Sequence, residues 1–145
     1  MEEYKALLLK ELVFFIGSIF LTLLVAIMVF VIVIKMAKKA PKDEKYVTYS
    51  VLCILLVLVI FLNVFCANEA IKINKDINGN RYIIYVGDYE IVPEGKSVDA
   101  CYIYDDKGDL LRLQCIERMS AGNYSGRVVY SENSLFVLEC IKHID

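Results

Sequence analysis

Apolar positions are spread along this chain in two different ways. Between Leu12 and Ile34 they are continuous: LVFFIGSIFLTLLVAIMVFVIVI contains no charged residue. As a helix this run would span roughly 34 Å, enough to cross a hydrocarbon core of about 30 Å with some tilt. A second run, VLCILLVLVIFLNVFCA over Val51–Ala67, spans only about 25 Å by itself. Extending it back through Tyr46, Val47, Thr48 and Tyr49 restores the length and sets two tyrosines at one membrane interface. Pro41 fits at or just before the start of this helix, because proline is tolerated in a first turn and not in an interior. The predicted unit is a helical hairpin: an N-terminal tail over 1–11, a transmembrane helix over 12–34, a Lys-rich connector over 35–45 and a second transmembrane helix over 46–67.

Other readings of these runs fare worse. A core helix that is apolar on every side would have to be wrapped completely, which a chain of 145 residues cannot do. A cleavable signal peptide is disfavoured by the length of the first run. It is followed by Lys35, Lys38 and Lys39, not by a small-x-small cleavage site. Cys66 follows an apolar run, as a lipidated cysteine does, but Phe65 stands where a small residue belongs and the N-terminus is far away.

From Ile71 onward the pattern changes to short alternating runs separated by turn residues. Asn78-Gly79 is a two-residue hairpin signal between IKINKDI and NRYIIYV, and Gly87-Asp88 suits a type II′ turn before YEIV. Asp105–Asp109 reads as a third turn, joining ACYIY to LLRLQCI. Ser131–Ser134 reads as a fourth, joining GRVVY to LFVLECI. β-branched residues and tyrosines fill the runs, as pleated, half-buried surfaces prefer. The pattern predicts a small all-β domain over 68–145, a meander sandwich or partly open barrel of six or seven strands. A turn is expected near Glu117–Ala121, and Gly122–Gly126 reads as the longest loop.

Composition sharpens this picture. Residues Met1–Ala67 carry seven Lys and five acids, whereas Asn68–Asp145 carry nine Lys or Arg and thirteen acids. An acidic domain repels phosphate backbones, so nucleic acid is not an expected partner. Lys35, Lys38, Lys39, Lys42 and Lys45 crowd the connector. By the positive-inside rule that segment is cytoplasmic, with both the N-terminus and the C-terminal domain extracytoplasmic.

Within the membrane segments, Ser18, Thr22 and Ala26 recur every four residues with Gly17 beside them, a small-residue stripe that lets another helix approach closely. Asn63 is the one strongly polar side chain of the second helix, and an amide in lipid needs a partner across a helix interface. No ionisable residue lies in the core of either run, which disfavours a proton relay, an ion transporter or an intramembrane enzyme. In the domain, centring the third hairpin on Gly108 sets Cys101 opposite Cys115, a candidate disulfide, with the same face buried if the thiols stay free.

Reaction chemistry finds little footing. The single histidine, His143, stands three residues from the end of the chain, where chains fray. No C-x-x-C pair is present, and Asp105, Asp106 and Asp109 lack both the spacing of a calcium loop and its closing Glu. No phosphate loop, nucleophile elbow or dinucleotide fingerprint occurs, so no cofactor is expected. The expectation is a non-catalytic integral membrane protein whose anchored β domain binds a partner at the membrane surface, in an accessory, sensory or immunity-type role. Its expected contacts are membrane lipids and either a protein partner or further copies of itself. The alternative is a homo-oligomer or small pore built from the two helices.

Overall fold

In the computed structural model, residues 2–39, 41–94, 98–104 and 108–142 are described. Two long helices come first, α1 (Glu2–Lys39) and α2 (Lys42–Gly79). Both are long and apolar enough to cross a membrane. Side chains such as Phe14, Phe20, Ile27, Ile54 and Phe61 are exposed along them. Pro41 lies just outside α2, its carbonyl accepting from the Lys45 amide at 3.3 Å, so proline sits where its missing N–H costs nothing. Each helix has 38 residues, roughly 57 Å of rise, so both extend well beyond their apolar runs.

The chain divides into two units, one over Leu12–Ile71, the other joining residues 1–11 to residues 72–145. In the first, the Thr22 hydroxyl donates to Asn63 Oδ1 at 3.2 Å, and Asn63 Nδ2 donates to the Val59 carbonyl at 2.8 Å.

The second unit is built on a five-stranded mixed sheet: β1 (Tyr82–Glu94), β2 (Val98–Tyr104), β3 (Leu110–Cys115), β4 (Gly122–Ser131) and β5 (Phe136–Lys142). The strands pair in the cyclic order β1-β2-β3-β5-β4, with β4 returning to β1. Every pairing is antiparallel except β3–β5, a parallel seam of two residue pairs. The long β1 makes the cycle possible, since its first ten residues pair with β4 and its last six with β2. Alternate residues on the inward face, among them Tyr89, Ile91, Cys101, Ile103, Leu113, Cys115, Val128, Tyr130 and Val137, form one buried cluster. Full burial of an aliphatic side chain there contributes about 1.5–3 kcal/mol.

The helix ends in this unit are held to the sheet by polar contacts. Near the start of α1, the Tyr4 hydroxyl donates to Glu139 on β5, and its ring meets that of Tyr82 edge-on at 5.8 Å. At the end of α2, Asp76 is completely buried. Its carboxylate accepts from the Asn133 and Ser134 amides, from Asn133 Nδ2 at 2.6 Å and from Ser134 Oγ at 2.7 Å, clasping the β4–β5 turn.

Several expectations are corrected. Residues 71–79 are helical, and Asn78-Gly79 is no hairpin turn. Asn80 takes the left-handed conformation (φ 49°) and the Arg81 amide bonds back to the Asp76 carbonyl at 3.1 Å, so the Asn-Gly-Asn run caps a helix. Ile73 and Asp76, one helical turn apart, are the fully buried pair. Gly87-Asp88 is no turn either, because β1 runs straight through it, paired with Gly126 and Ser125. A Cβ at 87 would lie 2.6 Å from the Tyr85 hydroxyl, so a side chain there would displace that hydroxyl from its bond to the Asp88 carbonyl. Losing these two turns leaves five strands in place of six or seven. Gly122–Gly126 is the start of β4, not a loop. The order is not a meander, since β5 lies between β3 and β4. The Ser131–Ser134 turn stands where expected, and β2 and β3 pair as an antiparallel hairpin whose tip at 105–107 lies outside the described residues, as does His143. Near Glu117–Ala121 the chain is irregular, pinned by the Met119 amide donating to the buried Asp99 carboxylate at 2.8 Å.

Candidate binding groove and thiol core

On the four strands β4-β1-β2-β3, the residues that alternate with the buried cluster point outward, and the register brings a set of them together. Asp88 pairs with Ser125, Glu90 with both Asn123 and Tyr102, and Tyr104 with Leu110. These residues line a groove of about 460 Å³, to which Tyr89 and Tyr124 of the inward face also contribute, their rings 5.6 Å apart. Its lining holds two carboxylates, phenol and aliphatic surface, an amide and a hydroxyl, and no lysine or arginine among the described residues.

Tyr102 is fixed in place from one side. Its hydroxyl donates to Glu94 Oε1 at 2.8 Å, and Glu94 also receives a two-pronged contact from the Arg112 guanidinium. Those bonds, first from Arg112 and then from Tyr102, hold the Glu94 carboxyl down at about 2. Tyr104 is exposed, its ring open to contact.

The interior carries a second cluster. Cys101 and Cys115 are buried free thiols and Cys140 is a half-buried one. The register gives Cys101 the cross-strand partner Leu113, not Cys115, a shift of two residues that preserves the shared inward face. Interaction with Cys140, then burial, raises the Cys101 thiol, and interaction with Cys101 lowers Cys140. Burial pushes the Tyr89 hydroxyl up to about 12, and that hydroxyl has no hydrogen-bond partner among the described residues.

Of the helix residues singled out from sequence, Thr22 and Asn63 meet directly, and Ala26 lies in an apolar pocket with Leu52, Leu55, Leu56 and Val59. Ser18 turns its hydroxyl back to the Phe14 carbonyl at 2.9 Å. Gly17 has open space where a Cβ would stand. Sequence reading missed the groove altogether. Asp88 looked like a turn residue, and only strand pairing puts it beside Ser125 and Glu90 beside Tyr102. Among the described residues no group of three or more His, Cys, Asp or Glu could hold a metal ion. Comparison with known protein families, with curated proteins and with solved structures returned no match.

Proposed function

We propose that this chain is a non-catalytic, membrane-anchored binding module whose groove receives a basic protein segment at the membrane surface. The groove lining carries the reading. Asp88 and Glu90 supply negative charge, Tyr102 and Tyr104 supply aromatic faces, and the described lining holds no lysine or arginine; of the cations beside it, Arg112 is paired with Glu94 and Lys142 stands over the Tyr124 ring. A lysine or arginine side chain is the chemistry that gains from both features, through charge complementarity and cation–π contact. The same carboxylates disfavour phosphate-bearing ligands and anionic headgroups. We read the cyclic strand order with its parallel seam as a partly open, five-stranded Greek-key barrel. Small barrels of that kind often present ligands on the face of their second and third strands, where Tyr102, Tyr104 and Leu110 lie.

Membrane anchoring by the helical hairpin draws support from the exposed apolar side chains of α1 and α2, which water would not tolerate in such number. The first turns of α1 and the last turns of α2 belong to one unit, as a chain crossing the bilayer twice requires. With the lysine-rich connector cytoplasmic, the sheet stands outside the cell. The homo-oligomer or small pore has less behind it, because Asn63 finds its hydrogen bonds within the hairpin.

The test is titration of the full-length chain, in nanodiscs of neutral lipid, with a lysine- and arginine-rich decapeptide. Salt-sensitive binding is expected, weakened roughly tenfold in the Asp88→Asn/Glu90→Gln double variant, as about 1.4 kcal/mol from two exposed ion pairs implies. Equal binding by a glutamate-rich decapeptide, or indifference to the double variant, refutes the proposal.

A further inference from the structure

For most of its length β3 is bonded along one side only. Its residues 110–114 pair with β2, but toward β5 just two residues pair, Gln114 with Phe136 and Cys115 with Val137. The Gln114 amide donates to the Leu135 carbonyl at 2.9 Å, so the main-chain groups of Gln114 face β5. Along a strand with an antiparallel neighbour, successive residues turn these groups to opposite sides. Leu111 and Leu113 therefore turn theirs to β2, while Leu110 and Arg112 turn theirs away from it.

Among the described residues no backbone bond meets Leu110 or Arg112 on that outer side, and the reason lies in the turn before β5. Were the parallel ladder to continue, Arg112 would face Ser134 and its carbonyl would accept from the Leu135 amide. That amide donates to the Ser131 carbonyl at 3.1 Å instead. Leu135 takes the left-handed conformation (φ 57°), which turns the chain off the ladder, and Asp76 holds the Asn133 and Ser134 amides. A row of donors and acceptors left open at a sheet edge is a template for another strand.

Leu110 joins this edge to the groove. Its exposed side chain lines the groove beside Tyr104, its partner on β2, while its main-chain groups face the free edge. We propose that the basic segment adds to the free edge of β3 as a further strand, its main chain bonded to Leu110 and Arg112. Alternate side chains of that strand turn over Leu110 toward Tyr104 and the carboxylates beyond it. Resting on the groove's preference for a basic segment, this mode divides the work: backbone bonds hold the segment, and the groove selects its side chains. The added strand lies about 4.8 Å from β3 and about 10 Å from β2, a gap that a leaning lysine and the Tyr104 ring span together. Asp88 and Glu90, further across the sheet, draw the charge in that direction.

The experiment presents the full-length chain, in nanodiscs of neutral lipid, with a decapeptide that alternates lysine and threonine. Two twins of equal charge accompany it, one N-methylated at the lysines and the other at the threonines. In an added strand the amides of one set face β3 and those of the other set face away. One twin should therefore bind as the parent does, and the other at least roughly tenfold more weakly. Hydrogen exchange read residue by residue should slow at the Leu110 and Arg112 amides when the parent peptide binds. Equal affinity of the two twins, or no slowing at either amide, overturns the proposal. Slow exchange there without peptide, growing with protein concentration, places a second copy on the edge and also overturns it. The two readings fail separately. Twins that match while Asp88→Asn/Glu90→Gln still weakens binding keep the groove and remove the added strand. Twins that differ while the double variant has no effect keep the strand and remove the role of the carboxylates. Failure of the parent peptide to bind removes both.

Discussion

Asp76 offers the sharpest test of how α2 is held to the sheet. Its carboxylate is completely buried and, among the described residues, takes its hydrogen bonds from a turn nearly sixty positions away: the Asn133 amide at 3.0 Å, Asn133 Nδ2 at 2.6 Å, the Ser134 amide at 2.8 Å and Ser134 Oγ at 2.7 Å. In Asp76→Ala all four donors lose their acceptor. The Asn133 side chain can turn to water, because the residue is half-buried. Ser134 Oγ can turn to Ser131 Oγ, already 2.7 Å away. The Ser134 amide belongs to a buried residue and has no such recourse, so its desolvation alone costs about 1–3 kcal/mol. Adding the net loss of the other charge-assisted bonds gives a destabilisation of about 3–5 kcal/mol. For a unit of this size that lowers Tm by at least roughly 12 °C. Asp76→Asn keeps one acceptor oxygen, and its new amide group can donate to Ser134 Oγ, so its cost should be smaller, about 1–3 kcal/mol. Thermal unfolding of the full chain in nanodiscs, followed by the near-ultraviolet dichroism of the tyrosines, measures both. A loss below about 1 kcal/mol for Asp76→Ala, or a larger loss for Asp76→Asn, refutes the reasoning.

Three further outcomes are expected. The Glu94 carboxyl, held at about 2 by Arg112 and then Tyr102, lies below its value in the unfolded chain. Its contribution is therefore present above about pH 4.5 and disappears as pH falls toward 2; a carbon-13 carboxyl titration should show this, and Arg112→Ala should return Glu94 toward its ordinary value. Gly122 has φ +147°, a conformation that side chains resist, so Gly122→Ala should cost about 1–3 kcal/mol by chemical denaturation. Thr22→Val removes one hydroxyl donor from Asn63 and should cost about 0.6–1.7 kcal/mol in hairpin stability measured by reversible unfolding in detergent, with Asn63→Leu costing no less.

Local information was sufficient wherever the energetics are local. An unbroken apolar run of twenty or so residues can satisfy its backbone in lipid only as a helix, so both helices were legible, as was the two-residue periodicity around Cys101, Ile103, Leu113 and Cys115 that marks one buried face. The Ser131–Ser134 turn was legible too, because its residues are turn formers with no competing use. What sequence alone left undecided depended on distant partners. Asn78-Gly79 suits a hairpin and a helix end equally. The choice fell to Ile73 and Asp76, one helical turn apart and both fully buried, with Asp76 bonded to a turn far along the chain, which favours helix over the strand that IKINKDI suggests. Gly87-Asp88 resembles a turn until β1 is seen to pair straight through it with Gly126 and Ser125 of β4. Strand order depends on the β1–β4 and β3–β5 pairings between strands remote in sequence, and the groove needs the first of these to bring Ser125 and Asn123 beside Asp88 and Glu90. A residue's own neighbours carry no record of which strand will lie beside it, and so tertiary structure alone placed the chemistry of this domain.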